Sequence, residues 1–284
     1  MTIRRTSALP YTSEKIEERL AASSAVFDPV RPISARDIAM FRQSGLERIE
    51  INSLRYPKRF DYRNRSQVSE IIRECTEQKV SVVSMHGPDI LPYNSEDENV
   101  RKAAVKEAIE AARVAEEMGA GVMVCHFGTD DRSEKTVTEI LVKLGDSSLK
   151  LADENGLDLR EYIEFVDKVS SDRFGMVVDI GHTKDPDGIN PFVMKERTYR
   201  TMAQCGSRLI HVHLHDFIET DHFAPMGGRI QWNEVFTAFR DIQYQGLFMF
   251  EAMYPLGKDY YAPEQVLRKI ADFPKKFVEA YGKA

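Results

Sequence analysis

VSVVSMHGPDILPYNSEDENVRKAAVKEAIEAARVAEEMGAGVMVCH, residues 80–126, holds one full repeat of the architecture. A run of β-branched and apolar residues (VSVVSMH, 80–86) reads as a strand, and GVMVCH (121–126) reads as another. Between them, residues 95–118 carry a helical pattern, with Ser95 as the expected N-cap and Gly119 as the expected stop. Strand, long helix, strand is the order of a parallel β-α-β unit.

Working outward, the same alternation recurs. Strand-like runs lie near 5–9 (RTSAL), 47–51 (ERIEI), 149–154 (LKLADE), 174–180 (FGMVVDI), 208–215 (RLIHVHLH) and 246–251 (GLFMFE). Helical patterns occupy roughly 35–44, 66–78, 133–144, 157–170, 191–205, 231–242 and 262–281. Eight strands alternating with eight helices predict the α/β class and a closed (β/α)8 TIM barrel. A doubly wound open sheet would normally show GxGxxG or GxxxxGK[ST] after a strand, and neither occurs. No Pro/Gly/Ser-rich linker interrupts the chain, so residues 1–284 are read as a single domain.

Composition sets the outer limits. The 284 residues are 42% hydrophobic, 30% charged and 10% aromatic, as in ordinary globular proteins. No window of about 18 apolar residues exists, so no membrane span is expected. MTIRRTSALPYTSEK at the amino terminus lacks an apolar h-region, and no secretory signal is read. Cys75, Cys125 and Cys205 are odd in number and widely spaced, which suits a reducing cytoplasm. The net charge of −6 argues against a general nucleic-acid binder.

The seven histidines are more informative. They stand at 86, 126, 182, 211, 213, 215 and 222. In a β/α barrel, chemistry sits at the C-terminal ends of the strands. His86 ends the third predicted strand, His126 ends the fourth, His182 follows the sixth, and the other four lie on or after the seventh. Carboxylates join them, with Glu154 ending strand five, Asp179 strand six and Glu251 strand eight. Ionisable groups at a barrel mouth are costly unless paired or bound to a cation. No lysine or arginine stands at those strand ends to neutralise the carboxylates.

Alternation within LIHVHLHD places Ile210, Val212 and Leu214 on one face, towards the helices. His211, His213 and His215 then point into the barrel at successive layers. His211 is expected to be a hydrogen-bonded core histidine, and His215 is left open between a ligand shell and a structural role.

These pieces resemble the xylose isomerase-like barrels, a superfamily of sugar isomerases and epimerases that also contains the endonuclease IV group. The matching segments are SMHGP, VCHFG, DENG, VVDIGH, HVHLHD, H-x-x-P-x-G-G in 222–228 and the glutamate of FMFEAMY, in family order over about residues 80–255. The resemblance implies metal ligands at Glu154, Asp179, His213 and Glu251. It places His182 and His222, with His86 and His126, where substrate or a second metal is held. Three carboxylates and one imidazole suit one divalent ion, Mn²⁺, Mg²⁺ or Zn²⁺.

The expected function is therefore a metal-dependent isomerase or epimerase, or a related dehydratase, acting on a small polyhydroxy substrate in carbohydrate metabolism. By resemblance, Glu154 and Glu251 transfer a proton through a metal-stabilised enediolate. The alternative is an endonuclease IV-like zinc phosphodiesterase acting on abasic DNA. That reading needs an aspartate two residues before the last histidine, where Thr220 stands. Asp221, adjacent to His222, is expected to point elsewhere. A non-catalytic metal- or sugar-binding barrel is the third and least favoured reading.

Residues 55–65, RYPKRFDYRNR, set five basic residues against one acid, with Tyr56, Phe60 and Tyr62 interleaved. Such a loop either grips a phosphate or is a solvated loop with aromatics packed beneath it. The acidic NSEDEN at 94–99, on the same rim, argues against DNA, and a small-molecule substrate is preferred. Cys125 is expected to pack towards the helices and Trp232 to anchor a helix start. Arg229 is assigned either to a substrate anion or, in preference, to a rim salt bridge. Tyr254, Tyr260 and Tyr261 are assigned to the pocket wall or a subunit interface, and homo-oligomers pairing through rim loops are compatible with a barrel of this size.

Overall fold

The computed structural model describes residues 11–53, 58–88, 91–156, 158–253 and 262–282. Its strands are β1 (Leu20–Ser23), β2 (Arg48–Asn52), β3 (Ser81–His86), β4 (Val122–Cys125), β5 (Lys150–Glu154), β6 (Phe174–Asp179), β7 (Leu209–His213) and β8 (Phe248–Phe250). The helices are α1 (Ser13–Glu17), α2 (Ala35–Gln43), α3 (Arg65–Gln78), α4 (Glu98–Met118), α5 (Asp131–Lys143) and α6 (Leu159–Val169). They continue as α7 (Lys195–Cys205), α8 (Trp232–Asp241), α9 (Pro263–Ala271) and α10 (Phe273–Tyr281).

Among the described residues the eight strands form one sheet in the order β7-β6-β5-β4-β3-β2-β1-β8, and every pairing in it is parallel. The ring closes between β7 and β8 just beyond the end of β7. There Leu214 donates to the Met249 carbonyl at 2.8 Å and accepts from the Glu251 N–H at 2.9 Å. The fold is the expected (β/α)8 barrel.

Burial on both faces explains the strand sequences. All six residues of β6 are buried, so FGMVVD reads as a continuous apolar run that ends in one carboxylate. Gly175 in that strand allows a close approach, since a Cβ there would lie 2.6 Å from Ile210 Cγ2. On α4 the alanines at 104, 108, 111, 112 and 115 are buried and bring the helix close to the sheet.

The structure corrects the sequence reading at four places. The first barrel strand is LAAS at 20–23, and the expected strand at 5–9 lies outside the described residues. The N-cap of α4 is Asp97, which accepts from Asn99 and Val100, while Ser95 accepts from Asp97 itself. The single helix expected over 262–281 breaks between α9 and α10, where Pro274 has no N–H to return to the preceding turn. On β7 the register against β6 skips Ile210. This bulge turns Ile210 inward, where it packs with Val122, Val124, Ala152 and Val177 instead of facing the helices.

Two packing expectations hold. Cys125 is fully buried in the core outside the barrel wall. Trp232 opens α8 against Phe250 and Phe273, with ring centroids 5.9 and 5.0 Å away, and its Nε1–H donates to Asp216.

Candidate metal centre

The C-terminal strand ends carry the expected residues to one point. Glu154 ends β5, Asp179 ends β6, His213 ends β7, and Glu251 follows β8 immediately. Each offers a ligand atom, and these four atoms lie within 4.8 Å of one another. All four side chains are buried. His213 Nδ1 is 3.0 Å from Glu154 Oε1 and 3.2 Å from Glu251 Oε2.

Further donor groups adjoin this centre. His86 Nε2 and His126 Nε2 stand 3.1 and 3.4 Å from Glu154 Oε2. On the other side, His182 Nε2 lies 3.0 Å from His222 Nε2 and 3.6 Å from Asp221 Oδ2. Asp221 therefore does not point elsewhere, as the sequence suggested. His222 has a left-handed backbone, φ 61°, which turns the chain between two adjacent residues so that both reach His182.

Hydrogen bonds fix several of these rings. The His222 N–H donates to His215 Nδ1 at 2.8 Å, which leaves the His215 ring proton on Nε2, 2.9 Å from Asp179 Oδ1. His215 thus orients Asp179, and with Asp179 and His222 it also forms one of the donor groups that could hold an ion. His222 Nδ1 donates to the Glu251 carbonyl at 2.8 Å, so its Nε2 lone pair faces His182 and Asp221. His211 is buried and bonded to Glu50 at 3.1 Å, the core histidine that was expected.

The electrostatics separate the two glutamates. Burial pushes Glu154 up, but facing His213 and His126 outweigh it and hold the carboxyl well below the usual range. Burial lifts Glu251 to about 7, with His213 opposing and the Glu154 charge assisting. His222 is pushed down to about 4 by burial and by the neighbouring His215.

In the described part of the cationic loop, residues 58–65, the aromatics pack beneath the surface, as the second of its two readings has it. Arg59 is buried and donates to the Phe27 carbonyl at 2.8 Å, and Phe60 and Tyr62 are buried beneath it. Arg63 pairs with Glu107 and Glu110, and Arg65 with Glu117, all on α4. Residues 54–57, with Arg55 and Tyr56, lie outside the described residues, as do Tyr254, Tyr260 and Tyr261. The acidic stretch 94–99 caps α4 and pairs with Arg101, Arg132 and Lys135. Arg229 is exposed and makes no ion pair among the described residues.

Two inward residues of β2 were not singled out from sequence. Glu50 is buried against His211, His213 and Ser84, and Asn52 donates to Glu251 Oε1 at 2.6 Å. Their spacing of two in ERIEIN was the available signal, since it puts both on one face of the strand.

A cleft of about 450 Å³ opens beside the centre, lined by His126, Asn155, His182, Lys184, Phe217 and Asp221 among others. That volume falls within the range of small-molecule sites.

Comparison with known proteins agrees with this architecture. An uncharacterized protein of Methanocaldococcus jannaschii is 28% identical over 193 residues, an alignment spanning 60% of this chain and 64% of that relative. A D-psicose 3-epimerase from Clostridium cellulolyticum H10, solved with D-tagatose, superposes with a TM-score of 0.71 at 16% identity, covering 93% of this chain and 100% of that one. An L-ribulose 3-epimerase gives 0.72 at 14% identity over 93% and 96% of the two chains. A 3-keto-D-glucoside 4-epimerase from E. coli gives 0.68 at 14% identity over 91% and 99%. At such identities the superpositions speak for the fold alone. Residues 38–276 match the family model described as xylose isomerase-like TIM barrel, and with the strand order and the donor-bearing strand ends this makes the chain a member of that family.

Proposed function

We propose that this chain is a divalent-metal-dependent isomerase or epimerase of a small polyhydroxy substrate, with Glu154, Asp179, His213 and Glu251 as the cation ligands. The observation that carries the proposal is the donor set. Three buried carboxylates meet one imidazole, and no lysine or arginine pairs with them among the described residues. Three carboxylates crowded into one buried point repel one another and favour a bound cation, and hard oxygen ligands with one nitrogen match Mn²⁺, Mg²⁺ or Zn²⁺. When bound, the cation supplies positive charge against the negative charge that develops on substrate oxygen as a C–H proton leaves.

The chain's own residues do the rest. Glu154, held ionised, is the base that takes the proton. Glu251, which faces the same His213 Nδ1 as Glu154, is the second carboxylate placed to return it. His182 lines the cleft with His222 3.0 Å behind it, and the two orient hydroxyl groups. The epimerases that share the fold act on sugars of this class, which supports the substrate assignment. Replacing Glu154 with Gln is expected to abolish turnover on ketose substrates with the circular dichroism spectrum unchanged. An active Glu154→Gln variant removes the proton-transfer role.

A second reading has one observation in its favour. With Asp221 beside His182 and His222, three donor groups adjoin, as a trinuclear phosphodiesterase site for abasic DNA requires. Metal analysis separates the two: about one ion per chain supports the isomerase or epimerase, and about three zinc ions with cleavage of an abasic duplex support the nuclease.

A further inference from the structure

Glu50 lies beneath the proposed cation site on β2, a strand that contributes none of its four ligands. It is fully buried, and three donors face its carboxylate. Ser84 Oγ donates to Oε2 at 2.8 Å, and His211 Nε2 lies 3.1 Å from the same oxygen. His213 Nε2 lies 3.3 Å from Oε1 and 3.5 Å from Oε2.

His213 therefore stands between two sets of acceptors. Its Nε2 faces Glu50, while its Nδ1 faces Glu154 Oε1 at 3.0 Å and Glu251 Oε2 at 3.2 Å. A neutral imidazole carries one proton and one lone pair. With the proton on Nδ1, the Nε2 lone pair would oppose the buried Glu50 carboxylate. With the proton on Nε2, Glu50 accepts it, and the Nδ1 lone pair points to where the ligand atoms converge. Only the second arrangement satisfies both sides once a cation is present.

We propose that Glu50 is the positioning residue of this centre: it accepts the Nε2 proton of His213 and so fixes the ring and tautomer that present Nδ1 to the cation. The inference rests on the reading of Glu154, Asp179, His213 and Glu251 as ligands. Asn52, two residues on and on the same face of β2, donates to Glu251 Oε1 at 2.6 Å and holds a second ligand from the same strand. The strand that binds nothing itself thus orients two of the groups that bind. Partners of this kind typically change metal affinity by about 10–100-fold when removed.

The test is titration of Co²⁺ into the full chain after chelator stripping, read by calorimetry and by visible absorption, for wild type, Glu50→Gln, Ser84→Ala and Glu154→Gln. Glu50→Gln is expected to weaken Co²⁺ binding by about 10–100-fold and to alter the absorption bands. Ser84→Ala, which removes a donor to the same carboxylate without touching His213, is expected to bind as wild type does. Equal affinity and identical bands for Glu50→Gln, with Glu154→Gln impaired, overturn the role of Glu50 and leave the ligand set standing. If wild type fails to bind, or Glu154→Gln binds as well as wild type, the ligand set falls and Glu50 with it. Should Glu50→Gln not fold, long-range ¹H–¹⁵N spectra of Zn²⁺-loaded wild type decide the matter. A protected proton on His213 Nε2, absent in His213→Gln, supports the assignment, and one on Nδ1 refutes it.

Discussion

Asp216 offers the sharpest test of how the rim is held. Its buried carboxylate accepts the N–H groups of Phe217 (2.9 Å) and Ile230 (3.2 Å) on Oδ1, and those of Gly227 (3.1 Å) and the Trp232 indole (3.3 Å) on Oδ2. One side chain thereby pins both ends of the loop that carries His222. In Asp216→Ala all four donors lose their acceptor, but Phe217 and Gly227 lie at or near the surface and rebond to water. Ile230 and Trp232 are 4% and 2% exposed and do not. Two orphaned buried donors at ~1–3 kcal/mol each give a destabilisation of about 2–6 kcal/mol. Asp216→Asn is gentler. Its oxygen keeps Phe217 and Ile230, but its amide sets donor against donor at Trp232, for roughly 1–3 kcal/mol. A double-mutant cycle with Trp232→Phe isolates that conflict and should show coupling of at least about 0.5 kcal/mol. Urea unfolding gives the energies, and hydrogen exchange across 217–231 shows whether the loop opens first. Additive energies in the cycle, or unchanged exchange in Asp216→Ala, refute the reasoning.

Other outcomes follow from single contacts. A Cβ at position 181 would overlap the His215 ring and lie 2.6 Å from Asp221 Cβ, so Gly181→Ala should lose roughly 1–3 kcal/mol of stability, measured by urea unfolding. Arg59→Lys cannot reproduce the buried guanidinium bonds to Phe27 and Ala25 and should lose about 1–3 kcal/mol, whereas Arg63→Ala, on an exposed pair, should change thermal stability by less than about 1 kcal/mol. Burial lifts the Cys75 and Cys205 thiols to about 12, and Cys125 is fully buried. An aromatic disulfide reagent at pH ~8 should leave all three untouched in the native chain and titrate them after denaturation.

How much of this was readable beforehand depended on what each face of a strand meets. β6 was legible because burial on both sides demands an unbroken apolar run. β1 was not, since LAAS uses small side chains and lacks the β-branched signature. The ligand-bearing strand ends stood out because His, Asp and Glu interrupt apolar runs there. Glu50 and Asn52 did not, because ERIEIN looks like any half-exposed strand, and only closure of the barrel turns its polar face inward. The inward turn of Ile210 was hidden for a related reason: strict alternation cannot anticipate a bulge. Asp221 was misread because side chains of adjacent residues normally diverge, and the left-handed backbone of His222 is a property of the folded loop. The same limit applies to the loop at 55–65, where Arg63 and Arg65 pair with carboxylates of α4, a helix that begins more than thirty residues later.

The closure between β7 and β8 carries a consequence for dynamics. His213 and Glu251 stand on opposite sides of that junction, which is stitched by the bonds of Leu214 to Met249 and Glu251. Whatever grips both side chains acts as a clasp across the narrowest join in the ring. Binding and ring closure are then coupled free energies: loosening the join weakens the grip, and filling the centre slows exchange of the Leu214 and Glu251 amides by the same coupling. On that coupling, exchange of the Leu214 and Glu251 amides is expected to be slower with a divalent ion added than without it.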